Sequence, residues 1–416
     1  MLISFYCKNY LSFKDEVFLD FRAKKFTQFK DNVITEKSLP VNLVKSIIMY
    51  GANASGKSNL IKAISFVRDF ALGNIVKQSQ EDIPYTPYRF NKTTESNPSS
   101  FEIHFFVNDK LYRYGFTANK STISKEWFFI KDNPKAKNET KIFTRQYYAY
   151  ASDILDDKFL EIIKSKTRDN GLAITVLDSY NEKDATVLLK EFSNITVILG
   201  LEHEKYRDKT IELLRNEKYS DTVKQFMKFA DTGIEDIKIK DYNLSKDPSK
   251  PDLFRLLYTS HKAFDINNDK LEYNYSLILD FDESSGTIKY FNLIGVILDS
   301  LNNGKTLIID EFETSLHPIL SLEIIKLFNS NNNAQAQLFI TSHDTNLLNY
   351  GNFRRDQIYF VEKNNFGESN IYSLADFKDD KTGRSDSSFA KNYIEGKYGA
   401  IPYLSNFGDL LKNDKK

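Results

Sequence analysis

The stretch GANASGKSNL, Gly51 to Leu60, constrains this chain more than any other. It fits G-x-x-x-x-G-K-[ST], with Gly51, Gly56, Lys57 and Ser58 at the fixed positions. At background residue usage, a chain of this length meets the pattern by accident about one or two times in a hundred. The flanks give it a context. VKSIIMY, Val44 to Tyr50, is a short apolar run that ends directly at Gly51 and reads as a buried parallel strand. Downstream, Leu60, Ile61, Ile64, Val67 and Leu72 recur at helical spacing. A strand, a glycine loop and a helix N-terminus together present backbone N–H groups to phosphate. A nucleotide is the expected ligand.

At 416 residues the chain is long for one compact domain, so two lobes or one domain with a large insertion are expected. Its 57 basic and 57 acidic residues balance, which excludes a strong sequence-blind attraction to nucleic acid through net charge and leaves only a local basic patch open. The single cysteine, Cys7, allows no internal disulfide framework and suits a reducing compartment. The opening MLISFYCKNYLSF lacks a basic region followed by an apolar core, so a signal peptide is not expected. No apolar run approaches a membrane span. A soluble, cytoplasmic protein with no membrane partner is the expectation.

Ile3, Phe5 and Cys7 share one face, as do Val17, Leu19 and Phe21, and this alternation predicts an antiparallel pair. Three more strands are predicted at Ser100–Val107, Lys110–Thr117 and Thr122–Ile130, with a hairpin turn at Asn108-Asp109. From about Lys131 to Asp241 the pattern turns charged and mostly helical, which predicts an inserted helical lobe. Ser245–Asp252 reads as a loop, and strands resume with LFRLLYTSH and LEYNYSLILDF. The expected boundaries are 1–130, 131–241 and 242–416.

The second half carries three further motifs. In TLIIDEFETSLHP, Thr306 to Pro318, the run Leu307, Ile308, Ile309 forms a buried strand that ends in Asp310-Glu311. An aspartate there can orient Mg²⁺ at phosphates, and the glutamate after it can take a proton from attacking water. AQLFITSHD, Ala336 to Asp344, is a second apolar strand ending at Ser342-His343, at the edge where open parallel sheets bind ligands. His343 either caps the next helix or donates a hydrogen bond to a γ-phosphate. Between them, Ile288, Phe291, Ile294, Leu298 and Leu301 mark an amphipathic helix opened by Ser284-Ser285-Gly286-Thr287. That opening is either a plain cap or an anion site built from N–H groups and a hydroxyl.

The order of these pieces resembles that of ABC-type ATPases, on GANASGKS, ESSGT, LIIDEFETSLHP and TSHD. More narrowly, the chain is similar to the stand-alone ABC ATPases of the AAA15 group, relatives of RecF, Rad50 and the OLD proteins. FYCKNYLSFKDEVFLDF, PSSFEIHFFVNDKLYRYGF and the tail RSDSSFAKNYIEGKYGAIPYL carry this narrower likeness. That group includes the ATPase halves of phage-defence systems: abortive-infection L type, RloA-like proteins and the PARIS ATPase. Two departures stand out. Transporter-type relatives read L-S-G-G-Q where this chain has Glu283-Ser284-Ser285-Gly286-Thr287, and many have Leu-Asp where it has Leu316-His317. No Q-loop glutamine is evident, and Asn91 is a weak substitute.

The resemblance implies an α/β ABC-type P-loop ATPase head, with a mixed parallel sheet, an antiparallel β subdomain and an inserted helical lobe. It implies ATP and Mg²⁺ as cofactors. Carried over by position, Gly51, Asn53, Ala54, Ser55, Gly56, Lys57, Ser58 and Asn59 cradle the phosphates, and Lys57 contacts the β- and γ-oxygens. Ser58 and Asp310 hold Mg²⁺, Glu311 activates water and His343 reads the γ-phosphate. Ser285 and Gly286 from a second copy complete the site. The implied partners are a homodimer through an ATP sandwich, a higher homo-oligomer, and a separate toxic effector, TOPRIM-like or other, encoded nearby. Too few residues follow His343 for a nuclease domain of its own. Asp280-Phe281-Asp282 reads as a turn, and Glu362-Lys363 as an exposed strand end. The alternatives are a RecF- or Rad50-like DNA-repair ATPase, with DNA as partner, and a P-loop kinase, which needs no signature motif.

Overall fold

The computed structural model describes residues 1–200, 202–230, 232–243, 253–264, 271–333, 335–349, 353–377 and 389–402. At its centre is a six-stranded sheet in the order Ile195–Ile198, Thr306–Ile309, Gln337–Thr341, Ser46–Tyr50, Ile358–Lys363, Ser369–Ser373. The first five strands run parallel and the last is antiparallel. Ser46–Tyr50 is buried at every residue because both faces of the sheet are covered. Ile47 and Met49 enter one core, and Ile48 and Tyr50 enter the other.

The first core joins this sheet to an antiparallel one of seven strands. Its order is Ala149–Ala151, Thr140–Gln146, Ile123–Lys131, Lys110–Ala118, Ser99–Val107, Leu2–Lys8, Val17–Asp20. The helix Lys57–Ala71 lies in this core, with Leu60, Ile61, Ile64 and Val67 packed among Phe5, Phe101 and Phe116. The turn predicted at Asn108-Asp109 is present, and both residues have positive φ, 48° and 65°, as a tight hairpin of the right twist requires. Gly115 has a packing reason. A Cβ there would sit 2.4 Å from the Trp127 ring and 2.6 Å from the Phe101 carbonyl oxygen.

The second core lies on the opposite face, around the helix Ser285–Asn303. Its middle is buried on nearly all sides, at Tyr290, Phe291, Leu293, Ile294, Val296, Ile297 and Leu298. The helix Arg207–Arg215 crosses it so closely that a Cβ on Gly295 would meet the Thr210 backbone nitrogen at 2.4 Å. The Thr210 hydroxyl seals the crossing by donating to the Phe291 carbonyl (2.8 Å) and accepting from the Gly295 N–H (2.8 Å).

Within 131–241 the structure has helices at Asp157–Lys166, Ala173–Ser179, Lys183–Ser193, Arg207–Arg215 and Glu217–Phe229. The segment is not helical throughout, however. Thr140–Gln146 and Ala149–Ala151 extend the antiparallel sheet beyond the expected boundary at 130, and Ile195–Ile198 is an edge strand of the central sheet. The helices on either side of that strand pack into the two main cores. The antiparallel sheet thus pairs across residue 130. Ile234–Asn243, Leu253–Phe264 and Leu271–Ile278 form a three-stranded antiparallel sheet before the second-core helix. The expected loop Ser245–Asp252 lies outside the described residues. Of the tail stretch, residues 389–402 are described, with the helix Phe389–Ile394 and Tyr393 stacked on Phe360 at 5.3 Å between ring centroids.

Candidate nucleotide site

Three neighbouring strands converge on one edge. Ser46–Tyr50, Gln337–Thr341 and Thr306–Ile309 are adjacent and parallel, so Gly51, Ser342 and Asp310 all leave the sheet at its C-terminal side. Open parallel sheets take ligands at this edge.

The loop 51–56 is shaped by close approaches. A Cβ on Gly51 would lie 2.4 Å from the Val361 carbonyl oxygen. Gly56 has φ 119° and abuts the Ser369 and Ser12 hydroxyls, at 2.5 and 2.8 Å from a Cβ. Ala54 also has positive φ, 59°. Asn53 and Ala54 are exposed at the tip, and Ser58 and Asn59 are half-buried, with Asn59 Nδ2 donating to Ser12 Oγ at 2.8 Å. Ser369 Oγ donates to the Ser55 carbonyl at 2.5 Å, which fastens the loop from outside. No side chain caps the helix Lys57–Ala71, and a helix start of this kind has backbone N–H groups to offer an anion. Ser55 Oγ is buried without a partner, an orphaned hydroxyl inside the same turn. A tetrahedral anion fits this donor set.

Lys57 is buried, at 5% exposure, and its Nζ donates to the carbonyls of Gly51 (2.8 Å) and Ala52 (3.2 Å). Burial lowers its pKa from 10.5 to about 8, against the pull of the Asp310, Glu313 and Glu311 carboxylates. Asp310 is also buried, and its Oδ1 accepts from Thr341 Oγ1 at 2.6 Å. The same hydroxyl accepts the Glu311 N–H at 2.8 Å, so one threonine orients both acidic residues. Glu311 has φ 49°, a left-handed conformation unusual for its type, and its side chain is exposed. His343 is exposed too. Partial desolvation and then the Lys57 charge hold its pKa below the ordinary value. No cluster of three or more His, Cys, Asp or Glu side chains suited to a metal occurs among the described residues. Ser58 stands at the start of the helix after the loop, and Asp310 at the end of a strand two places away in the same sheet.

The remaining expected residues lie apart. Ser285 is exposed at the first turn of its helix, whose cap is Ser284, accepting the Thr287 N–H at 3.1 Å. No hydrogen bond among the described residues joins Ser285 or Gly286 to the loop 51–58. Gly286 has a local reason to be glycine, since a Cβ would lie 2.4 Å from the Ser315 carbonyl oxygen of the loop after Glu311. Asn91 caps the short helix Lys92–Ser96, with its Oδ1 taken by the Thr93 N–H. Asp280 pairs with Arg207, and Asp282 accepts the Ile278 N–H at 2.7 Å, so this acidic pair is structural. Glu362 accepts from the Tyr372 hydroxyl at 3.3 Å near its strand's end.

Three participants escaped the sequence reading: Thr341, Glu313 and Lys289. Lys289, 1% exposed on the helix Ser285–Asn303, donates to the carbonyls of Phe312 (3.2 Å) and Thr314 (2.6 Å). Burial lowers its pKa to about 8, with the Glu313 and Glu311 carboxylates acting to raise it.

A family profile described as "AAA domain, putative AbiEii toxin, Type IV TA system" matches residues 46–349, from the strand before the phosphate loop to the helix after His343. The chain belongs to this family. By its description, the family has an AAA domain and is linked to a type IV toxin–antitoxin system. No curated protein matches the chain. Among solved structures, an SmcHead bound to the C-winged helix domain of ScpA is similar at 12% identity over 89% of this chain and 97% of that one, with a TM-score of 0.42. The SMC head domain from Thermotoga maritima is similar at 12% identity, over 89% and 98%, with a TM-score of 0.39. A Pyrococcus furiosus Smc head with an extended coiled coil gives 12%, 89% and 96%, with a TM-score of 0.38. Likeness at this level carries no functional argument, and the fold class rests on the strand order above. No helix among the described residues is long and apolar enough to cross a membrane.

Proposed function

We propose that this chain binds and hydrolyses ATP at a site completed by a second copy of itself. We further propose that it uses nucleotide state to control a separate toxic effector in phage defence. The observation that carries the ATPase reading is the meeting of Lys57, Asp310, Glu311 and His343 at one edge of three adjacent parallel strands. The link to defence rests on the family and on the motifs shared with the AAA15 group.

In this reading the loop N–H groups and Lys57 bind the β- and γ-phosphates. Ser58 and Asp310 hold Mg²⁺, which supplies charge neutralisation at the phosphates. Glu311, exposed just past its strand and left-handed in its backbone, takes a proton from the attacking water. Neutral His343 donates a hydrogen bond to the γ-phosphate. The helix start at Ser285 and Gly286, where Ser285 is exposed, meets the nucleotide of the second copy, so the γ-phosphate becomes a contact between subunits that ADP cannot make.

The test is to purify the Glu311→Gln variant with Mg-ATP from cells that carry its flanking genes, and to weigh the product by native mass spectrometry. The expected result is a homo-oligomer bearing a neighbour's product. A bare chain in every nucleotide state, with unchanged phage plating across a broad panel, overturns the effector reading.

A further inference from the structure

The loop that follows Glu311 is held from two sides. On one side, the helix Ser285–Asn303 grips it through Lys289, on the Phe312 and Thr314 carbonyls, and through the close approach of Gly286 to Ser315. On the other, it is laced to the strand Gln337–Thr341 and the turn beyond. The Phe312 N–H donates to the Thr341 carbonyl (3.1 Å) and the Glu311 N–H to Thr341 Oγ1 (2.8 Å). The His343 N–H donates to Glu313 Oε1 at 2.5 Å.

The last of these bonds differs in kind. It is charge-assisted, and it is the one hydrogen bond that His343 makes among the described residues. Glu313 also has a second oxygen, Oε2, that is buried and unpartnered. Its carboxylate acts electrostatically on Lys57, Lys289 and His343 together. A glutamate that only capped a turn would leave its free oxygen in water. Here the free oxygen is held inside, and the carboxylate's charge is felt by the phosphate-loop lysine and by the lysine of the facing helix. A buried polar atom left unsatisfied calls for a functional reason.

We propose that Glu313 is a positioning residue for hydrolysis: its carboxylate fixes the backbone of His343, and thereby the imidazole, relative to Glu311. The two strand-end loops then move as one unit rather than separately. This rests on the reading of His343 as the residue that contacts the γ-phosphate.

The test is a double-mutant cycle in steady-state ATPase of the full chain, using Glu313→Ala, His343→Ala and the pair, with nucleotide affinity measured in parallel. Glu313→Ala is expected to lower kcat at least tenfold with KM within threefold. Added to His343→Ala, it should lower kcat no more than twofold further, because it acts through that residue. Glu313→Gln keeps an acceptor for the His343 N–H and should recover at least threefold of the lost kcat. It also keeps the residue's volume, so it remains informative if the alanine variant does not fold. Multiplicative losses in the double variant, or a Glu313→Gln variant no better than Glu313→Ala, would overturn the proposal. If His343→Ala alone leaves kcat intact, the reading of His343 fails instead, and that outcome is separable.

Discussion

Lys57 shows how one side chain can carry a site's electrostatics. In a tight turn with two carbonyls for partners, it is charged against the cost of burial, and its pKa falls to about 8. A bound polyphosphate favours the ammonium form and pulls the value back up. ATP binding therefore takes up a proton above pH 8, and the affinity weakens by up to about tenfold per unit as pH rises beyond it. Fluorescent-nucleotide titrations at pH 7, 8 and 9 should show this loss, and Lys57→Met should bind weakly with no such slope. Glu311 gives a second prediction. Its carboxylate lies outside the hydrogen-bond lattice that Thr341 organises, so Glu311→Gln should fold and bind ATP normally. Its kcat should fall by about a hundredfold or more, as loss of a general base does. A variant that keeps wild-type turnover would move the base to another residue.

At the scale of elements, the contact between the helix Ser285–Asn303 and the loop after Glu311 is the most constrained feature of the site. Gly286→Ala would drive a methyl into the Ser315 carbonyl at 2.4 Å. Because both partners are backbone, the helix must shift, at a cost of about 1–3 kcal/mol. The variant should melt lower and lose ATPase activity, whereas Gly115→Ala should lower the melting temperature and leave nucleotide affinity unchanged. Lys289 adds a pH signature. Its folded pKa of about 8 lies below the ordinary 10.5, so its contribution to stability is present above 10.5 and lost as pH falls through 8. The wild type should gain melting temperature on Lys289→Met as pH rises across that window. A constant difference would mean that Lys289 is not buried in solution.

What the sequence revealed at this scale follows the range of the interactions. The phosphate loop, the Asn108-Asp109 hairpin and the strand ending at Asp310 are set by residues adjacent in the chain, and they are where the pattern predicts them. Ile195–Ile198 was hidden because its four residues sit among helical charge patterns, and only pairing with Thr306–Ile309 makes it a strand. Lys289 and Glu313 look like surface residues of a helix and a loop. Nothing local marks them, since the burial of Lys289 and the contacts of both come from elements distant in sequence.

At the scale of the whole molecule, the chain presents a nucleotide site on one edge and an exposed Ser285 that makes no hydrogen bond to the phosphate loop among the described residues. Two copies, each supplying what the other's site lacks, would satisfy both features. Closure would then depend on the γ-phosphate and not on net charge, which is zero. Association should thus respond to nucleotide identity far more than to salt. Ser285→Arg, a change at an exposed position, should fold and bind ATP as a monomer but fail to pair.

The measurement that bears most directly on this account is the mass in solution of Glu311→Gln by light scattering, with Mg-ATP and with Mg-ADP. The expected mass is about twice the 48.3 kDa chain with ATP, one chain with ADP, and one chain in both for Glu311→Gln combined with Ser285→Arg. A mass that is the same with either nucleotide, or pairing that survives Ser285→Arg, would contradict it.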